Sequence, residues 1–209
     1  MAVDQSLLER IAQKLRTARS SLDPLALAAE TAINQDRIEP RVDRPPTSKD
    51  SILARAAQLY GSKRGSEDTP PTGFDPAAAA LFEALVEGAF LVANADGDFD
   101  SEERSAFENV VLAATDKRVS GDQLTALLAD LDQLLVEDGL DKRVQVVSRT
   151  VARPEAQREV LRVAALIGQI SGGISTVERE TMDRLATGFG LDAKVVDESI
   201  ADAQAVLES

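Results

Sequence analysis

The chain has 209 residues, 44% of them hydrophobic and 3% aromatic, which suffices for one good-sized domain plus an extension and, with so much Ala, Leu and Val, favours helix. It contains neither histidine nor cysteine, which excludes cysteine-histidine zinc sites, Ser-His-Asp and Cys-His nucleophiles, histidine-ligated haem and disulfides, and leaves any metal to oxygen ligands: calcium, magnesium or manganese. The formal charge of −13 belongs to the C-terminal part, since residues 1–73 hold 11 Lys/Arg against 10 Asp/Glu and residues 74–209 hold 12 against 26; nucleic acid and anionic lipid are thereby disfavoured, a basic partner or a divalent cation favoured.

The first residues, Met1-Ala2-Val3-Asp4-Gln5, lead straight into an amphipathic pattern with no secretory signal, so the cytoplasm is the expected location. Leu7, Leu8, Ile11, Leu15 and Ala18 mark a first helix. Asp23-Pro24 opens a second, through Leu25, Ala28, Ala29 and Ile33, which fades before Pro40. Residues 37–46, with three prolines, read as a linker; Ser48 then caps a short helix carrying Ile52, Leu53, Ala56, Ala57 and Tyr60, stopped by Gly61. Residues 61–73 form a second, more flexible connection. This N-terminal extension, 1–73, either docks on the rest, pairs with another chain through residues 1–60, or stays mobile, and the sequence does not choose.

Residues 74–209 read as a separate all-helical domain. Leu81, Phe82, Leu85, Val86, Ala89 and Phe90 make a stripe too wide for a surface helix, which predicts a central one; Glu83 and Glu87 interrupt it and argue against a membrane span. Ala106, Phe107, Val110, Val111 and Ala114 mark the next helix, and Leu124, Leu127, Leu128, Leu131, Leu134 and Leu135 a third, opened by Ser120-Gly121-Asp122. After the Asp138-Gly139 turn, residues 141–152 are rich in β-branched valine, yet helix is expected because a lone strand would have no ladder partner. Arg153-Pro154 breaks that helix; Val160, Leu161, Ala164, Ile167 and Gly168 form the fifth; Met182, Leu185, Ala186 and Phe189 the sixth, ended by Gly188 and Gly190; Asp192 caps the seventh, with Val195, Val196, Ile200, Ala203 and Leu207.

Two of the joins share one grammar. Asn94-Ala95-Asp96-Gly97-Asp98-Phe99-Asp100-Ser101-Glu102-Glu103 has a glycine, an apolar plug, a cap residue and a glutamate three residues after the cap; 75 residues later Ser171-Gly172-Gly173-Ile174-Ser175-Thr176-Val177-Glu178-Arg179 repeats it. Each predicts a helix-ending glycine, an elbow plugged by Phe99 or Ile174, and a capping box, Asp100 with Glu103 and Ser175 with Glu178. Aligning them divides the domain into two pseudo-repeated three-helix units with one linking helix between, and whether the two loops end up adjacent is left open.

At this point the residues resemble a known family. Ala95-Asp96-Gly97-Asp98-Phe99-Asp100 with Glu103, the second glycine loop and the turn Gly188-Phe189-Gly190-Leu191 are similar to the TerB-like domain of tellurite-resistance TerB proteins and of the N-terminal part of DjlA-type membrane co-chaperones. The resemblance covers roughly residues 74–209 and implies a seven-helix, all-helical fold. It further implies a link to tellurite resistance and wider stress responses, acidic residues proposed to bind metal ions, and membrane-linked complexes that include TerC and calcium-binding TerD-type partners. The family's acidic loop falls on Asp96, Asp98, Asp100 and Glu103; the second loop departs from it, because Ser171-Gly172-Gly173 lacks the aspartate. A DjlA-like role is disfavoured, since a J domain depends on a His-Pro-Asp motif.

The residues themselves support two readings of the acidic loop. Capping needs only Asp100 and Glu103, so Asp96 and Asp98 either decorate a solvated turn or join Asp100, with Glu102 or Glu103, in a partial oxygen cage for calcium or magnesium. It is not an EF-hand, for Gly97 and Glu103 both come too early. Arg149, Arg153, Arg158 and Arg162 either pair with nearby carboxylates or form a docking patch for an acidic protein partner. For an enzyme only Glu83 and Glu87, one turn apart in an apolar setting, offer an acid-base pair, and with no nucleophile, phosphate loop or cofactor fingerprint a non-enzyme is expected. The expectation is a non-catalytic binding or adaptor module; the alternative is an assembly protein whose N-terminal helices tether it to a complex or to a second copy.

Overall fold

The structure, a computed structural model, describes residues 76–208 except 98, 116 and 117, together with Leu53, Ala56 and Ala57. The helices and linkers expected between residues 1 and 52, and the connection at 61–73, lie outside the described residues. Within them there are seven α-helices and no strand: α1 Pro76–Ala93, α2 Ser101–Ala114, α3 Gly121–Asp138, α4 Leu140–Thr150, α5 Pro154–Ile170, α6 Thr176–Phe189 and α7 Lys194–Glu208. None of these helices is long and apolar enough to cross a membrane.

Two helices make the centre. From Ala84 to Val92 every residue of α1 is buried, and α5 is buried along most of its length, because Ala, Val, Leu and Gly are placed all round both helices rather than on one stripe. They pack on each other more extensively than any other pair of helices. Gly88 sets their approach: a Cβ there would lie 2.4 Å from Cγ1 of Val160, so a side chain would force the helices apart. Each central helix also carries the second helix of the other half, α6 lying on α1 and α2 on α5.

The valine-rich stretch is helical, as the lack of a ladder partner required. A single glycine, Gly139, closes α3 through its N–H to the Leu135 carbonyl and opens α4 directly. Val144 and Val147 of α4 enter the core, and Pro154 starts α5 after a turn fastened by Gln157 Nε2, which donates to the Val151 carbonyl at 2.9 Å. One expectation needs correction. Gly188 does not end α6 but lies within it, where a Cβ would come 2.3 Å from Ser148 Oγ of α4; the termination falls to Gly190, in the left-handed conformation. Glycine is used there for close approach, which local sequence does not distinguish from a stop.

Leu53, Ala56 and Ala57 are helical and wholly buried, and they belong to the same core cluster as α1 and α5. The apolar core therefore does not stop at residue 74, and a fragment beginning there would lose part of it.

Candidate functional site

Both elbows form as their grammar requires. After α1, Asn94 N–H bonds back to Phe90 and Gly97 N–H to Asn94, and Gly97 takes φ +81°, which a residue with a Cβ rarely adopts; Gly172, its counterpart after α5, takes φ +130°. Phe99 plugs the first elbow edge-on between Phe90 and Phe107, with ring centroids 5.7 and 5.9 Å away. Ile174 plugs the second and leans on Gly168, where a Cβ would meet its Cγ1 at 3.0 Å.

Two capping boxes then start α2 and α6. Glu103 N–H donates to Asp100 Oδ1 at 2.9 Å while Asp100 N–H donates to Glu103 Oε2 at 3.2 Å. Glu178 N–H donates to Ser175 Oγ at 3.2 Å while Ser175 N–H donates to Glu178 Oε2 at 2.7 Å. A third box, Ser120 with Gln123, starts α3, and it shows that a neutral amide can hold this geometry in the same chain.

Charge at the second elbow is felt at the first. The carboxyl of Glu103 is pushed above the ordinary glutamate range, first by desolvation and then, against the lowering effect of the Asp100 N–H bond, by the charges of Asp100, Asp96 and Glu178. Glu178 comes from the other elbow and is itself buried, with 8% of its surface exposed. Negative charge from both joins thus acts on Glu103, and Asp100 and Ser175 both stand at helix N-termini, whose dipoles favour anions. Arg104 tempers the first elbow, its guanidinium 5.1 Å from the Phe99 ring centre and paired with Asp132 of α3.

Asp96, Asp100 and Glu103 therefore share the first elbow; Asp98 and the side chain of Glu102 lie outside the described residues. Among the described residues no three carboxylates converge closely enough to hold a metal ion. One oxygen each of Asp100 and Glu103 is already engaged by a backbone N–H.

The arginines do not form one face. Arg149 sits at the end of α4 and Arg153 at the cap position of α5, while Arg158 faces Glu198 of α7 at 3.9 Å and Arg162 faces Glu159 at 3.6 Å. Glu83 and Glu87 part company as well. Glu83 is exposed, and partial desolvation and the charges of Glu87 and Asp130 raise its carboxyl. Glu87, 6% exposed, is bonded by Arg143 Nε at 2.6 Å, and Arg143 reaches Asp138 at 3.1 Å through Nη1; Lys142 also pairs with Asp138. The guanidinium and ammonium hold the Asp138 carboxyl below its ordinary value, chiefly through their hydrogen bonds. Arg143 is a buried residue that sequence reasoning missed. The available signal was an arginine in register with Val144 and Val147 on the inward side of α4, opposite an acid on an otherwise apolar helix.

No family model matches the chain, and neither does any curated protein or solved structure. The TerB-like resemblance accordingly rests on the residues quoted for it.

Proposed function

We propose that the chain is a non-catalytic, TerB-like binding or adaptor module of two repeated three-helix units, whose acidic first elbow receives a basic group of a protein partner or a weakly held calcium or magnesium ion. The repeat is supported by the helix limits: α2 and α6 each have 14 residues and start 75 positions apart, each behind a capping box. The observation that carries the binding reading is the crowding of Glu103 by Asp100, Asp96 and Glu178, a concentration of negative charge that an incoming cation relieves. A cytoplasmic stress-response complex, tellurite resistance included, is the setting this reading assigns.

An ion at the elbow would draw on Asp96, Asp98 and Asp100, with Glu102 or Glu103, and water would complete its shell. Such an incomplete cage binds on the order of 10⁻⁴–10⁻³ M. At tenfold excess over Kd that stabilises the fold by about 1.4 kcal/mol. Thermal melts with and without millimolar calcium test it, repeated with magnesium and on Asp96→Asn combined with Asp98→Asn. The expected result is a rise in Tm that the double variant loses; an equal rise in both proteins places the ion elsewhere, and no rise in either removes the ion from the proposal.

A further inference from the structure

The sequence has two Asp-Gly pairs, Asp96-Gly97 and Asp138-Gly139, and the fold treats them differently. In this dipeptide the glycine nitrogen can reach the aspartate Cγ and close a five-membered ring, because glycine has no Cβ to obstruct the approach and its backbone turns freely. The aspartate must rotate out of its starting conformation for the ring to close, so a clamped backbone or a clamped carboxyl prevents it. Asp138 is clamped at both. It is the last residue of α3, the Gly139 N–H after it donates to the Leu135 carbonyl at 2.9 Å, and its side chain, 17% exposed, accepts from Lys142 Nζ at 2.5 Å on one oxygen and from Arg143 Nη1 at 3.1 Å on the other. Asp96 and Gly97 are both exposed and stand in the turn between α1 and α2, outside any helix, where the Gly97 N–H reaches the Asn94 carbonyl at a longer 3.2 Å.

We propose that Asp96-Gly97 is a site of spontaneous covalent modification, the rearrangement of aspartate to iso-aspartate through a succinimide, and that the fold withholds Asp138-Gly139 from the same reaction. The only co-reactant is water. The Gly97 nitrogen gives up its proton and attacks Cγ of the protonated Asp96 carboxyl; a C–N bond forms, the C–OH bond breaks, and the hydroxyl leaves with a proton as water. Water then opens the ring. Attack at Cγ restores aspartate, whereas attack at the main-chain carbonyl carbon of Asp96 breaks that carbon's bond to the Gly97 nitrogen and leaves iso-aspartate, joined to Gly97 through its side-chain carbonyl. Nothing is oxidised or reduced, and the mass is unchanged overall. The product adds one carbon to the backbone of the first elbow and shifts the Asp96 carboxylate onto Cα, which moves one of the charges that bear on Glu103. The inference is independent of the binding reading, because it involves neither a partner nor an ion.

The full-length chain is aged at neutral pH, both folded and in guanidinium chloride, then digested, and electron-transfer fragmentation of the peptides places and quantifies each iso-aspartate. In the folded chain iso-aspartate is expected to accumulate at Asp96 at least about tenfold faster than at Asp138, because bending an exposed turn costs less than opening a packed helix end. In the unfolded chain the two sites should accumulate it at similar rates. Asp96→Glu keeps the charge but cannot close a five-membered ring, and it should remove the folded chain's signal. No accumulation at Asp96, equal accumulation at Asp96 and Asp138 in the folded chain, or a preference for Asp96 that persists undiminished in guanidinium chloride overturns the inference. A signal that Asp96→Glu leaves in place overturns it as well.

Discussion

At the first elbow Phe99 is held between Phe90 and Phe107, and Asp100 caps the helix that follows; 75 positions on, the same places hold Ile174, Ala165, Met182 and Ser175. The backbone result is nevertheless the same, a positive-φ glycine followed by a reciprocal box with bonds between 2.7 and 3.2 Å. What the elbow needs is a glycine, any plug of adequate size, an oxygen acceptor at the cap and a side chain three residues later that can accept a bond. Charge is not among the requirements. The second elbow manages with serine and glycine where the first has Asp96, Asp98 and Asp100, so the turn itself does not call for carboxylates at those positions.

The largest effect should come from the strut that holds α1, and with it the first elbow, against α4. Arg143→Ala leaves Glu87 charged and buried without its partner, which should cost about 3–5 kcal/mol in urea unfolding. Replacing Glu87 and Arg143 together by leucine and methionine should recover most of that loss, since a well-packed apolar pair substitutes for a buried ion pair.

The plugs come next. Phe99→Ala removes two edge-to-face ring contacts and the surface under Arg104, and should cost about 3 kcal/mol, whereas Ile174→Ala should cost about 2 kcal/mol. If the two losses are equal by denaturant melts, the aromatic trio adds nothing beyond the burial of a plug, and the elbows differ in charge alone.

Much of this architecture was legible beforehand. Proline 154, Ser120, Gly139 and Gly190 punctuate the helices where local rules place them, and the width of the apolar stripe on α1 announced its central position. The failures concern what lies opposite. Helical spacing shows which face Glu87 occupies but not that Arg143, 56 residues away, meets it, and it suggested one shared environment for Glu83 and Glu87 where there are two. Gly188 looked like a terminator because local sequence cannot see Ser148 pressing on it from another helix. The same blindness hid the charge that Glu178 of the second elbow adds at Glu103 of the first, which no residue within either loop announces.

A smaller effect isolates charge from geometry. Glu103→Gln keeps an acceptor for the Asp100 N–H, as Gln123 does for Ser120, but removes one carboxylate from the cluster. Because the folded state raises this carboxyl above its unfolded value, Glu103 weakens the fold when ionised; that penalty is present at neutral pH and is relieved as pH falls through the folded pKa toward the ordinary glutamate value of about 4.3. The variant should be as stable as wild type or slightly more so at pH 7, and the advantage should shrink toward pH 4. A variant less stable at pH 7 by about 1 kcal/mol would mean that the box depends on the charge after all.

The central claim is that the two elbows share one electrostatic site, and the titration of Glu103 reads it directly. Side-chain carboxyl chemical shifts, followed by carbon-13 NMR across pH in wild type and in Glu178→Gln, separate the second elbow's contribution, since glutamine at 178 can still accept the Ser175 N–H. The account predicts a Glu103 pKa above the ordinary glutamate value in wild type and a lower one in the variant. A Glu103 that titrates at the ordinary value, or one that does not respond to Glu178→Gln, would contradict it.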